Sequence, residues 1–378
     1  MPQLWDRAAG RNGPATMLVK VRRMAVGLML AATVVGCAGG ATGTRPATQE
    51  STAQGSASAF LAAYVRPDGR VARPDQGNDT VSEGQAYGLL LAEVADEPAV
   101  FGRIWQWTHD HLQLPGGLFG YHADAAGHLL SAQPASDADL LFAWALLRYQ
   151  GPDAAGRHQA GQRVAAAVLR HEVTTGSGGT PVLTAGPWAT GRPASLDPSY
   201  WALPALTGLA RLTGDRQWQQ LAGSAVALTS RLTASGRDLP PDWAQLTGEG
   251  ALTPVPAPDG SEPQAEYGLD AQRTVLWSAV SCDPRARALA SRWWALLRQP
   301  GRAEAQTLLP DGAVINPSRA PLPLVAAASA AYAAGQLAAS RRLLQRATAE
   351  QHSHPTYYGG AWAALAPALL SGALASAC

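Results

Sequence analysis

The sequence predicts an all-α protein whose helices come in pairs that close or stack on one another. Two observations lead there. Beyond residue 56, apolar residues recur at helical spacing in stretches of about 12 to 18, separated by Gly-, Pro- and Asp-rich connections. No run shows sustained β-branched alternation, so strands should be few. Roughly twelve apolar stretches begin near residues 56, 83, 98, 137, 157, 200, 215, 269, 284, 322, 336 and 358. About a dozen helices in successive hairpins over some 320 residues exceed a small bundle and fit a closed or stacked α/α architecture.

The chain starts with a segment that does not belong to that architecture. Lys20, Arg22 and Arg23 precede an apolar run from Met24 to Val35, which is a secretory signal in charge order and too short to span a bilayer. The run ends in Val34-Val35-Gly36-Cys37, which resembles a bacterial lipobox and implies that Cys37 is the lipidated first residue of an extracytoplasmic lipoprotein; the alternative is an ordinary signal peptide with an incidental cysteine and a secreted protein. Residues 1–16 carry Asp6 and Pro14 and do not look like signal, so Met17 is the preferred start. Residues 38–56 are almost free of large apolar side chains and read as a flexible tether. The helical domain is expected over 57–378.

Within that domain several helix boundaries are explicit. Asp96-Glu97-Pro98 opens a helix after Ala95, and Thr213-Gly214-Asp215 divides two more. Asp283-Pro284 supplies an N-cap followed by proline in the first turn. Trp105, Trp107 and Trp144 fall at helical spacing and belong to the core. The longer connections, around 66–82, 113–136, 173–198 and 235–268, are where a site on a helical scaffold would be built.

Composition narrows the partners. With 29 Lys+Arg against 28 Asp+Glu, the net charge of +1 gives no cationic surface for nucleic acid. Cysteines at 37, 282 and 378 match neither zinc-ligand spacing nor a dense disulfide framework, and pairing of Cys282 with Cys378 stays open. The histidines share no helix face apart from His352 and His354, read as surface residues, so no metal and no cofactor are expected. Twelve Trp and nine Tyr against four Phe favour rings with a flat face and a polar handle, which permits sugar stacking.

Three polar helix entries could carry chemistry. In Val81-Ser82-Glu83-Gly84-Gln85-Ala86-Tyr87-Gly88, Ser82 can cap the helix and Glu83 suits the positive end of its dipole. Capping does not explain Gln85, Tyr87 and two glycines that let another group approach the backbone. In Ala135-Ser136-Asp137-Ala138-Asp139-Leu140, Ser136 or Asp137 can cap, leaving one carboxylate solvated or facing a cleft. In Asp270-Ala271-Gln272-Arg273, the spacing of three allows a local ion pair. Three acids at three helix starts, each after a long loop, could gather at one end of an α/α barrel.

SEGQAYG, ASDADL, DPSYW (Asp197 to Trp201), LPPDW (Leu239 to Trp243) and DAQR resemble, in chain order, the motifs of glycoside hydrolase family 8. The likeness runs from about Tyr64 to Tyr357-Tyr358-Gly359-Gly360. It implies an (α/α)6 barrel and inverting endo-hydrolysis of a β-1,4-linked polysaccharide. Residue by residue it implies Glu83 as general acid and Asp270 as general base, with Arg273 orienting Asp270. Asp137 would bind and distort the sugar, a role preferred over nucleophile because inversion leaves no covalent intermediate. Tyr200 would position the water, and Gln85, Tyr87, Phe119, Tyr121 and Trp188 would contact substrate. Two departures from the family pattern stand out: Leu269 precedes the base where an aromatic is common, and the loop 113–120 is short.

The expected protein is therefore a monomeric, membrane-anchored endo-β-1,4-glucanase acting on cellulose or mixed-linkage glucan. The alternatives are the same scaffold acting on chitosan or xylan, and a non-catalytic glycan-binding lipoprotein.

Overall fold

The computed structural model describes residues 47–233 and 238–374. The signal and lipobox (1–37, with Cys37), the tether up to residue 46 and Cys378 lie outside the described residues. Twelve α-helices are found among those described: α1 (Ala47–Tyr64), α2 (Ser82–Val94), α3 (Pro98–Leu112), α4 (Ser136–Arg148), α5 (Ala154–His171), α6 (Leu203–Thr213), α7 (Arg216–Leu232), α8 (Leu269–Ala279), α9 (Pro284–Leu297), α10 (Pro321–Ala333), α11 (Leu337–Ser353) and α12 (Tyr357–Leu370).

The even-numbered helices form an inner ring. Helix α2 packs on α4, α4 on α6, α6 on α8, α8 on α10, α10 on α12 and α12 back on α2. The odd-numbered helices sit outside, each packed on inner neighbours, so six hairpins close into an (α/α)6 barrel. The sequences explain the sorting. In α10 every residue from Pro321 to Ala331 is buried, and its run of alanines suits a crowded ring where helices are enclosed on all sides. In α11 only Ser340, Leu343 and Ala347 are buried, a single stripe at helical spacing, and the rest faces outward.

Capping follows the chemistry of the connections. Asp283 accepts the Arg285 N–H at 2.8 Å with Pro284 in the first turn of α9. Gly214 ends α6 in the left-handed region at φ +73°, and Asp215 accepts the Gln217 N–H at 2.8 Å to start α7. Cys282, just after α8, is disulfide-bonded.

One boundary differs from expectation. Residues 47–56, which composition assigns to the tether, form the first turns of α1. Alanine and glutamine are good helix formers, and Ala53 and Ala57 are small enough to be buried where α1 lies against α12 and α2.

Strands are few and short. They are β1 (Thr80–Val81), β2 (His122–Ala123), β3 (Leu129–Ser131), β4 (Val173–Thr175), β5 (Pro181–Leu183), β6 (Ala194–Leu196), β7 (Trp243–Leu246), β8 (Leu252–Val255), β9 (Ala305–Leu308) and β10 (Val314–Arg319). They form antiparallel sheets β1-β2-β3, β4-β5, β6-β7-β8 and β9-β10. All lie in the connections that lead into inner helices, where they brace the loops that carry the polar motifs.

Candidate active site

The polar residues singled out from sequence converge on one guanidinium. Arg273, in the second turn of α8, is fully enclosed. Its Nη2 donates to Asp270 Oδ1 at 2.9 Å, and its Nη1 donates to Asp137 Oδ2 on α4 at 2.9 Å. The same Nη1 reaches Glu83 Oε2 on α2 at 3.5 Å and the Tyr87 hydroxyl at 3.2 Å. Asp197 Oδ2 lies 3.9 Å from Nη2, and the Tyr200 ring packs 5.3 Å from the guanidinium carbon. Asp270 and Arg273 are thus not the local surface pair that their spacing allows. Their helix turn is the hub of four carboxyls.

Each acid sits at the amino end of an inner helix or in the turn before one. Glu83, Asp137 and Asp270 occupy the first turns of α2, α4 and α8, and Asp197 begins the Pro198–Tyr200 turn that feeds α6. Parallel inner helices bring these ends together, where their dipoles favour negative charge. Glu83 (5%), Asp137 (4%) and Asp270 (8%) are buried but keep a small exposed fraction.

Burial and crowding set the protonation. Four carboxyls around one cation cannot all stay charged out of water. Burial pushes Glu83 up to about 8, opposed by Arg273 and reinforced by the charges of Asp137 and Asp270. Burial raises Asp137 as well, against the pull of Arg273. Asp197 goes well above the usual carboxylate range through burial and then the charge of Asp270. The distances fit the difference between two of them, since Arg273 lies 2.9 Å from Asp137 but 3.5 Å from Glu83 and supports the charge of Glu83 less.

The local scaffold explains how Glu83 is held. Val81 pairs with His122 in the β1-β2 ladder, and the Ser82 N–H donates to the Tyr121 carbonyl at 2.8 Å. Ser82 therefore does not cap α2 with its side chain; Val81 is the cap residue, and the neighbouring strand supplies the bond. Gly84 has no room for a Cβ because the Tyr357 hydroxyl fills that space, so the glycine admits a tyrosine beside Glu83. Gly88 likewise admits Val71 and Ile104.

Several expected contacts are corrected. Gln85 does not face substrate: its Oε1 accepts the Val71 N–H at 2.5 Å and its Nε2 donates to Thr108 Oγ1 at 2.8 Å, fully buried between α2 and α3. Phe119 is no stacking platform, since it packs in the core with its ring centroid 4.4 Å from Phe142 and 6.0 Å from Trp105. Tyr87 is enclosed beneath the acids, bonded to Arg273 rather than open to a sugar. Neither acid of ASDADL is solvated. Asp139 accepts the Phe119 N–H at 2.9 Å, and burial drives both Asp139 and the neighbouring Glu172 well above the usual carboxylate range. Ser136 donates to the Thr184 carbonyl at 2.6 Å instead of capping α4.

Tyr121 and Trp188 stay near the site. Tyr121 is buried but close enough that, after burial and Arg73, the charges of Glu83, Asp137 and Asp270 all act on its hydroxyl. Trp188 is half-buried, its indole N–H bonded to the Pro134 carbonyl at 3.1 Å. The core assignments of Trp105, Trp107 and Trp144 agree with their burial, and His352 and His354 are exposed.

Sequence reasoning gave no role to Asp197 or to the Arg73, Asp79 and His122 cluster. Asp79 accepts from Arg73 Nε at 2.7 Å and contacts His122 Nε2 at 2.7 Å, next to the ladder that positions Glu83. Only Asp197 had a signal, as the first residue of DPSYW. Among the described residues no group of His, Cys, Asp and Glu has the arrangement of a metal site.

A family profile described as Glycosyl hydrolases family 8 matches residues 44–366. The curated endoglucanase of Cellulomonas uda is 30% identical over 251 residues, 65% of this chain and 68% of its own length. A probable endoglucanase of Novacetimonas hansenii is 32% identical over 247 residues, covering 62% and 70%. Among solved structures, an endo-β-1,4-glucanase of Acetobacter xylinum superposes with a TM-score of 0.68 at 27% identity, covering 86% of this chain and 98% of that one.

Proposed function

The chain belongs to glycosyl hydrolase family 8, and from that membership we propose an inverting endo-β-1,4-glucanase with Glu83 as general acid and Asp270 as general base. It is a glycoside hydrolase, and its relatives named endoglucanase supply the substrate class, an internal β-1,4 bond of a glucan. The observation that carries the assignment is the pair of contacts from opposite nitrogens of Arg273, to Asp270 at 2.9 Å and to Glu83 at 3.5 Å.

Inversion needs an acid and a base on opposite faces of the sugar, with carboxyls ~6.5 to 9.5 Å apart. Sharing one guanidinium keeps the Glu83 and Asp270 carboxyls within about 9 Å of each other, so that spacing is within reach. Glu83, protonated at neutral pH because burial has raised it to about 8, gives its proton to the glycosidic oxygen as the bond from C1 breaks. Asp270 takes a proton from the water whose oxygen bonds C1 from the other face. Asp137 binds the sugar at the cleavage point, and Tyr200, against Arg273, positions the water. Binding alone would require no acid and base joined to one guanidinium, which disfavours a non-catalytic role.

The leader at residues 17–37 supports export, and the lipobox-like end supports a lipid anchor on Cys37. The disulfide at Cys282 suits an oxidising compartment. No helix among the described residues is long and apolar enough to cross a membrane. Mass measurement of peptides containing Cys37 tests the anchor.

The activity test is reducing-sugar release from carboxymethylcellulose, mixed-linkage glucan, chitosan and xylan by the purified enzyme. The β-1,4-glucans are expected to be cleaved best. Glu83→Gln and Asp270→Asn should each lose orders of magnitude in turnover while remaining folded. Near-wild-type hydrolysis by either variant would overturn its assigned role.

A further inference from the structure

The fourth residue of the LPPDW motif is Asp242, a fully buried acid that the catalytic scheme leaves unused. Its Oδ1 accepts the Gly268 N–H at 3.1 Å and the Ala271 N–H at 2.5 Å. These amides flank Asp270 in the chain. Helix α8 has no capping side chain of its own, because its cap residue is Gly268. Asp242 caps it from a segment 26 to 29 residues away.

The approach is close enough to dictate the neighbouring residue. A Cβ at Gly268 would collide with Asp242 Oδ2, so glycine is needed there for the carboxylate to reach the helix end. Asp242 is itself tied down, its N–H donating to the Glu266 carbonyl at 2.7 Å. The next residue, Trp243, is buried with its ring 6.2 Å from Tyr200. One dipeptide thus braces both the turn that carries Asp270 and the ring of Tyr200.

We propose that Asp242 is a positioning residue for hydrolysis, which grips the amino end of α8 on both sides of Asp270 and so aims that carboxylate at the attacking water. This rests on the reading of Asp270 as the base. Positioning of this kind acts on turnover, since misplacement of a reacting group by about 1 Å can cost on the order of 100-fold.

The test is a double-variant cycle in the purified enzyme on a soluble β-1,4-glucan. Asp242→Ala is expected to lower kcat by about ten-fold or more, with KM held within about two-fold. Asp242→Asn keeps an oxygen for both N–H groups and is expected to recover most of that loss. The combination of Asp242→Ala with Asp270→Asn should be no slower than Asp270→Asn alone, because a residue that acts through Asp270 has nothing left to aim. Independent, multiplying losses would overturn the proposal, as would a rise in KM with unchanged kcat. Near-wild-type turnover by Asp270→Asn alone would instead remove the base assignment, and the proposal with it. Should Asp242→Ala not fold, Gly268→Ala, whose Cβ pushes on the same carboxylate, enters the same cycle with the same outcomes.

Discussion

Arg273 on α8 meets Asp137 on α4 at 2.9 Å, across 136 residues of chain. The same side chain also holds Asp270 at 2.9 Å on its other arm. One planar fork therefore fixes the distance between two inner helices and the direction of two carboxylates. A compact ammonium cannot reproduce that geometry.

Replacing Arg273 should damage stability and activity together. Arg273→Lys is expected to lose at least about 100-fold in kcat through misplacement of the acids. Arg273→Met leaves buried carboxyls without their cation, a loss of about 3 to 5 kcal/mol at neutral pH. Asp137, left without the cation it meets at 2.9 Å, is costly to bury only when charged. The deficit of Arg273→Met should therefore shrink as pH falls through the carboxyl range, read by urea unfolding at pH 7 and pH 4.5. An equal deficit at both would contradict the role of Arg273 as counter-ion to the buried carboxyls.

Glu83 makes a pH signature with a definite sign. Its pKa in the fold, about 8, lies above the ordinary carboxyl value, so folding favours the protonated form. The stability linked to that proton is complete below the ordinary range and is lost as pH rises through about 8. Glu83→Gln, neutral at every pH, is expected to melt higher than wild type at pH 8 and at the same temperature at pH 4. The basic limb of wild-type kcat/KM should also fall near pH 8. No thermal gain for Glu83→Gln at pH 8 would contradict a buried, proton-carrying acid.

Gln85 should behave as a structural residue despite its place in SEGQAYG. Its amide ties the Val71 N–H to Thr108 across α2 and α3. Gln85→Ala leaves the Val71 N–H buried without a partner and is expected to cost about 1 to 3 kcal/mol. The KM of the folded enzyme should be unchanged. A several-fold rise in KM without loss of stability would return Gln85 to the substrate.

The helical frame was legible because each helix carries its own punctuation. Asp283 before Pro284, Gly214 before Asp215 and the apolar period within each stretch act over a few residues, which is the range a sequence displays directly. The same locality limited the site. Glu83, Asp137 and Asp270 stood out by residue type and helix-start position, but that Arg273 joins all three depends on three helices meeting. Phe119 sits in a loop beside a polar motif and was expected in the cleft, yet it points into the barrel wall against Phe142. The capping of α8 by Asp242 across 26 to 29 residues has no local signature at all. Strands of two to six residues, such as β1 and β10, are too short to show alternation.

The most direct test of the two-carboxylate mechanism is the anomeric configuration of the first product. Proton NMR of a β-1,4-glucan digest, recorded before mutarotation, should show the α-anomer appearing first and the β-anomer growing in later. Initial release of the β-anomer would mean a retaining route through a covalent intermediate. Asp270 would then no longer be a base acting on water, and the nucleophile would have to be sought among the acids around Arg273, with Asp137 first.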